Sequence, residues 1–286
     1  MTSFDDHERR RWVGRAEAYA RSFGRLCAHP ADALLDAAGA RAGSRLLDVG
    51  TGPGTVAALA AGRGATVTAV DAEESMIASA RGSAADARFV RAALPHLPFP
   101  AGTYDAAVAN FVLNHVGDPA AAAWQLRRVV RPGGLVAFTV WPHPQPPLQR
   151  LWGQVYEAAG GPPRPDLPRV AVERNFDRTP AGVNELLRGA GLTDVRCETL
   201  SWVHRADRED WWAGPANGIG QLGLLLTGAP AQLRRRIREQ YDRLTAAHLG
   251  PDGLLGLPTA ALLGTGRVAL TRSRMSGTGG RPRRPR

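Results

Sequence analysis

The chain has 286 residues, 44% hydrophobic and 22% charged, which suits an ordinary globular fold with one sizeable α/β domain and additions, or two small domains. No apolar run approaches the ~20 residues of a membrane helix, and M-T-S-F-D-D-H-E-R-R-R at the start puts charge where a secretory leader needs an apolar stretch, so no membrane association and a cytoplasmic location are expected. The net charge is +10, and because lysine is absent all 36 basic residues are arginine, which removes Schiff-base, pyridoxal-phosphate and P-loop-lysine chemistry.

In chain order, residues 8–39 read as two helices. The first carries Trp12, Ala16, Tyr19, Ala20 and Phe23 at helical spacing, and the second runs from 30 to 38. A strand over 44–49 passes through a glycine turn into a helix over 55–62. A strand over 65–70 ends at Asp71, followed by a helix over 74–81 and a short strand over 87–90. A fourth strand over 104–110 precedes a helix over 119–130. Arg131-Pro132-Gly133-Gly134 is a turn signal before a fifth strand, 135–141. Residues 142–175, rich in Pro and Gly, read as a lid with a short helix near 151–158. Thr179 caps a helix over 180–188, and 194–202 reads as a sixth strand. A helical cap is expected over 207–262, with Leu233, Ile237, Tyr241 and Leu244 on one stripe of a helix over 231–249. An edge strand follows within 263–270. Six arginines, Arg272, Arg274, Arg281, Arg283, Arg284 and Arg286, fall in an acid-free Gly/Pro/Ser-rich end, 271–286. Without them the rest carries +4, so this end is read as a disordered tail and a nucleic-acid partner is not expected.

Strands alternating with helices imply parallel pairing through right-handed crossovers and a doubly wound α/β sheet. Ligands of such sheets sit beyond the strands' carboxyl ends, where strand order reverses. Asp48, Asp71, the 91–97 turn, Asn110 and Trp141 all fall at those ends. The domains are therefore expected as an N-terminal helical cap over 1–43, a binding core over 44–206 that includes the lid, the cap insertion, the edge strand and the tail.

The stretch R-L-L-D-V-G-T-G-P-G-T, 45–55, is the most informative. Glycines at 50, 52 and 54 let a ligand approach bare backbone amides. Asp48, two residues before them, would repel a diphosphate and attract an ammonium or sulfonium. This resembles motif I of the class I S-adenosylmethionine-dependent methyltransferases, in a small-molecule branch similar to the ubiquinone/menaquinone-type enzymes. The resemblance covers about 45–140 closely and 176–270 loosely. It implies a Rossmann-like methyltransferase fold with a mostly parallel seven-stranded sheet. It also implies S-adenosylmethionine as cofactor, S-adenosylhomocysteine as product, and no metal; Cys27 and Cys197 suggest neither a metal site nor a disulfide framework.

On that basis Asp48, Gly50, Thr51, Gly52 and Gly54 would surround the cofactor's amino-acid end, with Asp48 facing its ammonium directly or through water. Asp71 and Ala72 would meet the ribose and Met76 the adenine. Similar enzymes carry an acid where this chain has Ala93, which leaves the adenine to the Leu94 backbone and to packing. Asn110 is expected to line the cofactor. His115 is the best-placed imidazole for deprotonating a phenol or hydroxyl, with a structural or cofactor-lining role as its alternative, and His143 is a second candidate. Tyr19, Phe23, Trp141 and Trp211 are expected around a planar or hydrophobic acceptor.

The expected activity is methyl transfer to a small organic acceptor, a specialised metabolite of a GC-rich bacterium, with oxygen favoured over nitrogen or carbon. The chain would act as a monomer or homodimer. Three other readings stand beside it. A nicotinamide oxidoreductase lacks its sixth-place glycine, since Thr55 stands there. A nucleic-acid module would use the basic surface. The same fold and cofactor could also serve non-methylating chemistry such as cyclisation.

Overall fold

A computed structural model describes residues 2–270; the basic segment 271–286 lies outside the described residues. Four short helices, α1 (Ser3–Trp12), α2 (Ala16–Arg21), α3 (Phe23–Ala28) and α4 (Ala31–Ala37), precede β1 (Arg45–Val49). Then come α5 (Thr55–Gly62), β2 (Thr66–Asp71), α6 (Glu74–Ser83), β3 (Arg88–Arg91), β4 (Tyr104–Asn110), α7 (Pro119–Val129) and β5 (Val130–Val140). The carboxyl half holds α8 (Pro147–Ala158), α9 (Pro180–Gly189), β6 (Leu192–Ala206), α10 (Arg208–Ala216), α11 (Gly220–Thr227), α12 (Ala231–Thr245) and β7 (Leu255–Val268).

The seven strands form one sheet in the order β3-β2-β1-β4-β5-β7-β6. The pairings among β1 to β5 are parallel, and β7 runs antiparallel to both β5 and β6. Leu46, Leu47, Asp48 and Val49 are all buried, as a strand covered on both faces requires. One face packs on α7 and α9 through Leu126, Val129, Val183 and Leu187, and the other on α4 and α5 through Leu34, Leu35, Val56 and Ala60. A third apolar cluster joins α8 to α10, α11 and α12 around Trp152, Trp211, Ile237 and Tyr241. Strand order reverses where β1 lies between β2 and β4, and this opens a crevice at their carboxyl ends.

Several expectations need correction. The first N-terminal helix is three helices. Gly14 stands at φ +67, left-handed backbone that stops α1, and Ser22 Oγ donates to Ala18 O at 2.7 Å, a local bond that competes with helix continuation. The expected turn at 131–134 is absorbed into β5: Tyr104 pairs with Val130 and Ala106 with Leu135, so the intervening residues bulge from the ladder. The helix near 151 begins one turn earlier, at Pro147. The helical cap does not reach 262, because 255–262 already belongs to β7. That last strand is not an edge either; it lies between β5 and β6, where Gly264 and Gly266 admit side chains of α9 and β6.

Candidate active site

The crevice holds a cavity of about 450 Å³. Its floor is the carboxyl ends of β1, β2, β4 and β5, and its roof is α1 to α3 with Ile219 and Gly220 from the start of α11. None of the residues 142–175 lines it, so that segment is not the lid. α8 buries Leu148, Leu151, Trp152, Val155 and Tyr156 in the third core instead.

The loop after β1 differs from its expected use. Gly50 N and Thr51 N donate to Val70 O at 2.8 and 2.9 Å, Gly54 N donates to Thr51 O, and Gly52 N donates to Asp71 Oδ2 at 2.9 Å. These amides are engaged by the protein rather than bare. What the glycines supply is close approach. Gly50 and Gly52 line the cavity at φ +68 and +54, and a Cβ on Gly50 would lie 2.4 Å from Val112 Cγ2. Gly54 and Thr51 do not line it. Gly54 (φ +91) lets α5 pass α6, where a Cβ would meet Ala80 Cα and Cβ at 3.0 Å.

Asp48 also lies behind the wall. It is fully buried, its Oδ2 accepts from Thr51 Oγ1 at 2.7 Å, and Oδ1 makes no well-formed hydrogen bond among the described residues. Burial pushes its carboxyl up to about 7, with the Thr51 hydroxyl opposing, Asp71 adding repulsion and the nearby Ala57 backbone amide opposing more weakly. A direct contact with a bound cation is thus not the geometry found, and the orphaned Oδ1 leaves only a route through water.

Asp71 does face the cavity. Its Oδ2 accepts from Gly52 N and its Oδ1 from Glu73 N at 3.0 Å, and burial raises its pKa. Each oxygen keeps lone-pair capacity for a diol. Ala72, Met76, Ala93 and Leu94 form an adjoining apolar wall, where Met76 and Leu94 are buried. Asn110 lines the cavity too, yet its amide ties elements together: Nδ2 donates to Cys27 O at 2.8 Å and Oδ1 accepts from Thr139 Oγ1 at 2.6 Å. That bond holds α3 over β4.

Tyr19, Phe23 and Trp141 line the cavity as expected, and Trp141 stacks on Phe111 at 3.9 Å. Trp211 does not. Only 1% exposed, it packs against Phe23 at 4.7 Å and Trp152 at 5.5 Å inside the third core. His143 is also displaced: it is exposed, and its N donates to Arg178 O on the outer surface. His115 lines the cavity, with Nδ1 2.6 Å from Glu8 Oε2 and its ring edge-on to Trp12 at 5.4 Å. Burial works to raise the Glu8 carboxyl, but the hydrogen bond from His115, the charge that ring carries when protonated, and Arg11 hold it at about 2.

Sequence reasoning missed Glu8, Trp12 and Phe111. A signal for the first two existed. Thr2 and Asp5 form a capping box that starts α1, and from there Asp5, Glu8 and Trp12 share one helical face. Asp5 completes the docking, since its Oδ1 accepts from Gly117 N at 2.6 Å. Among the described residues no group of His, Cys, Asp and Glu could hold a metal ion, and no helix is long and apolar enough to cross a membrane.

Residues 47–138 match the family described as "Methyltransferase domain". The chain is 36% identical over 143 residues to malonyl-[acyl-carrier protein] O-methyltransferase of Salmonella typhimurium, covering 50% of this chain and 57% of that one. It is 31% identical over 196 residues to demethylmenaquinone methyltransferase of Paenarthrobacter aurescens, covering 62% and 75%. The chain spans just over half the length of several other relatives. In fold it resembles the YcgJ protein of Bacillus subtilis, with a TM-score of 0.54 at 18% identity, covering 85% of this chain and 99% of that one.

Proposed function

The chain belongs to the class I S-adenosylmethionine-dependent methyltransferases, and from that premise we propose that it methylates a small organic acceptor in the cavity above β1, β2 and β4. The observation that carries this reading is Asp71. Two backbone amides pin its carboxylate at the end of β2, beside an apolar wall and below a glycine-lined loop. This pairing of a diol acceptor with a flat apolar surface suits a nucleoside, and the acids Asp71 and Glu73 disfavour a diphosphate. The residues fit S-adenosylmethionine: Asp71 would take the ribose hydroxyls, Met76 and Leu94 the adenine, and the 50–52 backbone the amino-acid end. The buried, unpartnered Asp48 Oδ1 suits a water-linked ammonium.

When bound, S-adenosylmethionine supplies a methyl group already activated on a sulfonium. The protein's tasks are alignment, exclusion of water and handling of a proton. Tyr19, Phe23 and Trp141 provide an aromatic lining on the acceptor side, which suits a planar or hydrophobic molecule. His115 would take the proton from an acceptor hydroxyl, which favours oxygen over carbon as the methylated atom. A specialised metabolite is the acceptor class that the composition suggests.

Titration calorimetry with S-adenosylmethionine, S-adenosylhomocysteine and NAD tests the cofactor. Binding of both sulfur ligands and not of NAD is expected, and failure to bind either one overturns the proposal. Mass spectrometry of candidate acceptors incubated with the enzyme should then show the gain of one CH2, located on oxygen.

A further inference from the structure

We propose that Glu8 is the positioning residue for His115, holding the imidazole as a proton acceptor, so that α1 is a working part of the active site as well as its cover. This rests on the reading of His115 as a base at a methyl-transfer site.

Glu8 Oε2 lies 2.6 Å from His115 Nδ1 although the two residues are 107 positions apart in sequence. The carboxylate is buried, at 5% exposure, and Arg11 Nη1 holds its other oxygen, Oε1, at 2.7 Å. Oε2 is thereby left to the imidazole. A carboxylate only accepts, so the hydrogen of this bond sits on Nδ1. The neutral ring then carries its lone pair on Nε2, the nitrogen that makes no hydrogen bond among the described residues. Trp12, edge-on to the ring at 5.4 Å, restrains its rotation. Carboxylate, Nδ1–H and a free Nε2 on a cavity wall are what a base needs to receive a proton in a fixed direction.

The proton step balances simply. The acceptor's O–H bond breaks, a hydrogen–Nε2 bond forms, and the electron pair stays on oxygen as the nucleophile. Glu8 takes no proton in this step; it stabilises the positive charge that the ring gains. α1 can deliver this carboxylate only when docked, and docking depends on separate contacts. Asp5 Oδ1 accepts from Gly117 N and ties α1 to the loop before α7, while Asp5 Oδ2 caps α1 itself by accepting from Thr2 N at 2.7 Å. Positioning and docking can therefore be separated by mutation.

The test uses the full chain labelled with nitrogen-15 and reads the His115 imidazole by NMR, which reports directly which nitrogen bears hydrogen. In the parent, Nδ1–H with an unprotonated Nε2 is expected. Glu8→Ala should shift the tautomer ratio toward Nε2–H by about tenfold or more, the worth of one hydrogen bond to a charged group. Glu8→Leu fills the vacated space with an apolar side chain, gives the same expected shift, and serves if the alanine variant does not fold. Asp5→Asn keeps an oxygen to accept from Gly117 N, so α1 stays docked, and it does not touch the pair; it should leave the ratio near that of the parent. S-adenosylhomocysteine affinity, measured by calorimetry, should stay within about threefold of the parent in the Glu8 variants. An unchanged tautomer ratio in both Glu8 variants overturns the proposal, and so does an equal shift in Asp5→Asn, which would reduce Glu8 to a clasp. Absence of S-adenosylhomocysteine binding in the parent would overturn the methyl-transfer reading alone, because the tautomer is measurable without any ligand.

Discussion

At the scale of single residues, the two aspartates at the ends of β1 and β2 have been given different work. Asp48 is buried behind its loop with a carboxyl near 7, well above the ordinary value of 3.8. The folded state therefore holds its proton to higher pH than the unfolded chain does, and the stability contributed at this site declines as pH rises from about 4 to about 7. Asp48→Asn keeps an acceptor for Thr51 Oγ1 and removes the charge. Urea unfolding should find it more stable than the parent at pH 8, by at most about 4 kcal/mol on the three-unit displacement, and little different at pH 4. Asp71 is also raised by burial, but its oxygens are fixed at the cavity wall by two amides. Asp71→Ala removes the proposed diol acceptor and should weaken S-adenosylmethionine by about tenfold or more in calorimetry. Asp71→Asn, which keeps one acceptor oxygen, should lose less. An unchanged affinity in the alanine variant would remove the ribose assignment.

At the scale of elements, the sequence was most legible where local chemistry alone decides the outcome. β1, β2 and β4 are short buried runs with a polar residue at or next to the carboxyl end, and α7 and α9 begin with a capping side chain followed by proline; these elements were readable to within a residue or two. Legibility failed where a distant contact decides. Nothing near 255–262 announces that it pairs with β6 and leads into the pairing with β5, because even Ala206, the partner of Leu255, lies 49 residues away. Nor does His143, in a proline-rich loop, announce that it faces outward. Within the site, Asp71, Met76, Trp141 and His115, read from motif and strand-end position, line the cavity, as do Tyr19 and Phe23, read from the N-terminal helices. Glu8 was not, since its role arises from α1 folding back across the sheet ends. Gly54 sits between these cases: it belongs to the recognisable motif, yet its work is to let α5 pass α6. A side chain there meets Ala80 at 3.0 Å on left-handed backbone, so Gly54→Ala should destabilise the protein by about 1–3 kcal/mol in urea titration. S-adenosylmethionine affinity should fall less than in Asp71→Ala.

At the scale of the whole molecule, a sheet common to many enzymes carries a helical superstructure that is packed as a core of its own. Trp152, Trp202, Trp211, Ile237 and Tyr241 hold α8 and α10 to α12 against the carboxyl half of the sheet, while the cavity is roofed mainly from the opposite end of the chain, by α1 to α3, with Ile219 and Gly220 of α11 beside them. The cavity and this core share Tyr19, Phe23, Cys27, Phe111 and Trp141, but the buried bulk of the cap, Trp211 included, stands apart from the cavity lining. Trp211 tests that separation, because it is buried in the cap and only its neighbour Phe23 reaches the cavity. Trp211→Ala should cost about 3–5 kcal/mol by the loss of a large core side chain and lower the melting temperature. The increment added by saturating S-adenosylhomocysteine should nevertheless persist, because a ligand at 100 times its Kd stabilises any folded protein that still binds it by about 2.7 kcal/mol. Asp71→Ala should behave in the opposite manner, with a melting temperature near that of the parent and a reduced increment. Thermal unfolding of both variants with and without ligand checks this directly: if Trp211→Ala abolishes the increment, the cap shapes the binding site, and the two functions of the molecule are not divided between its ends.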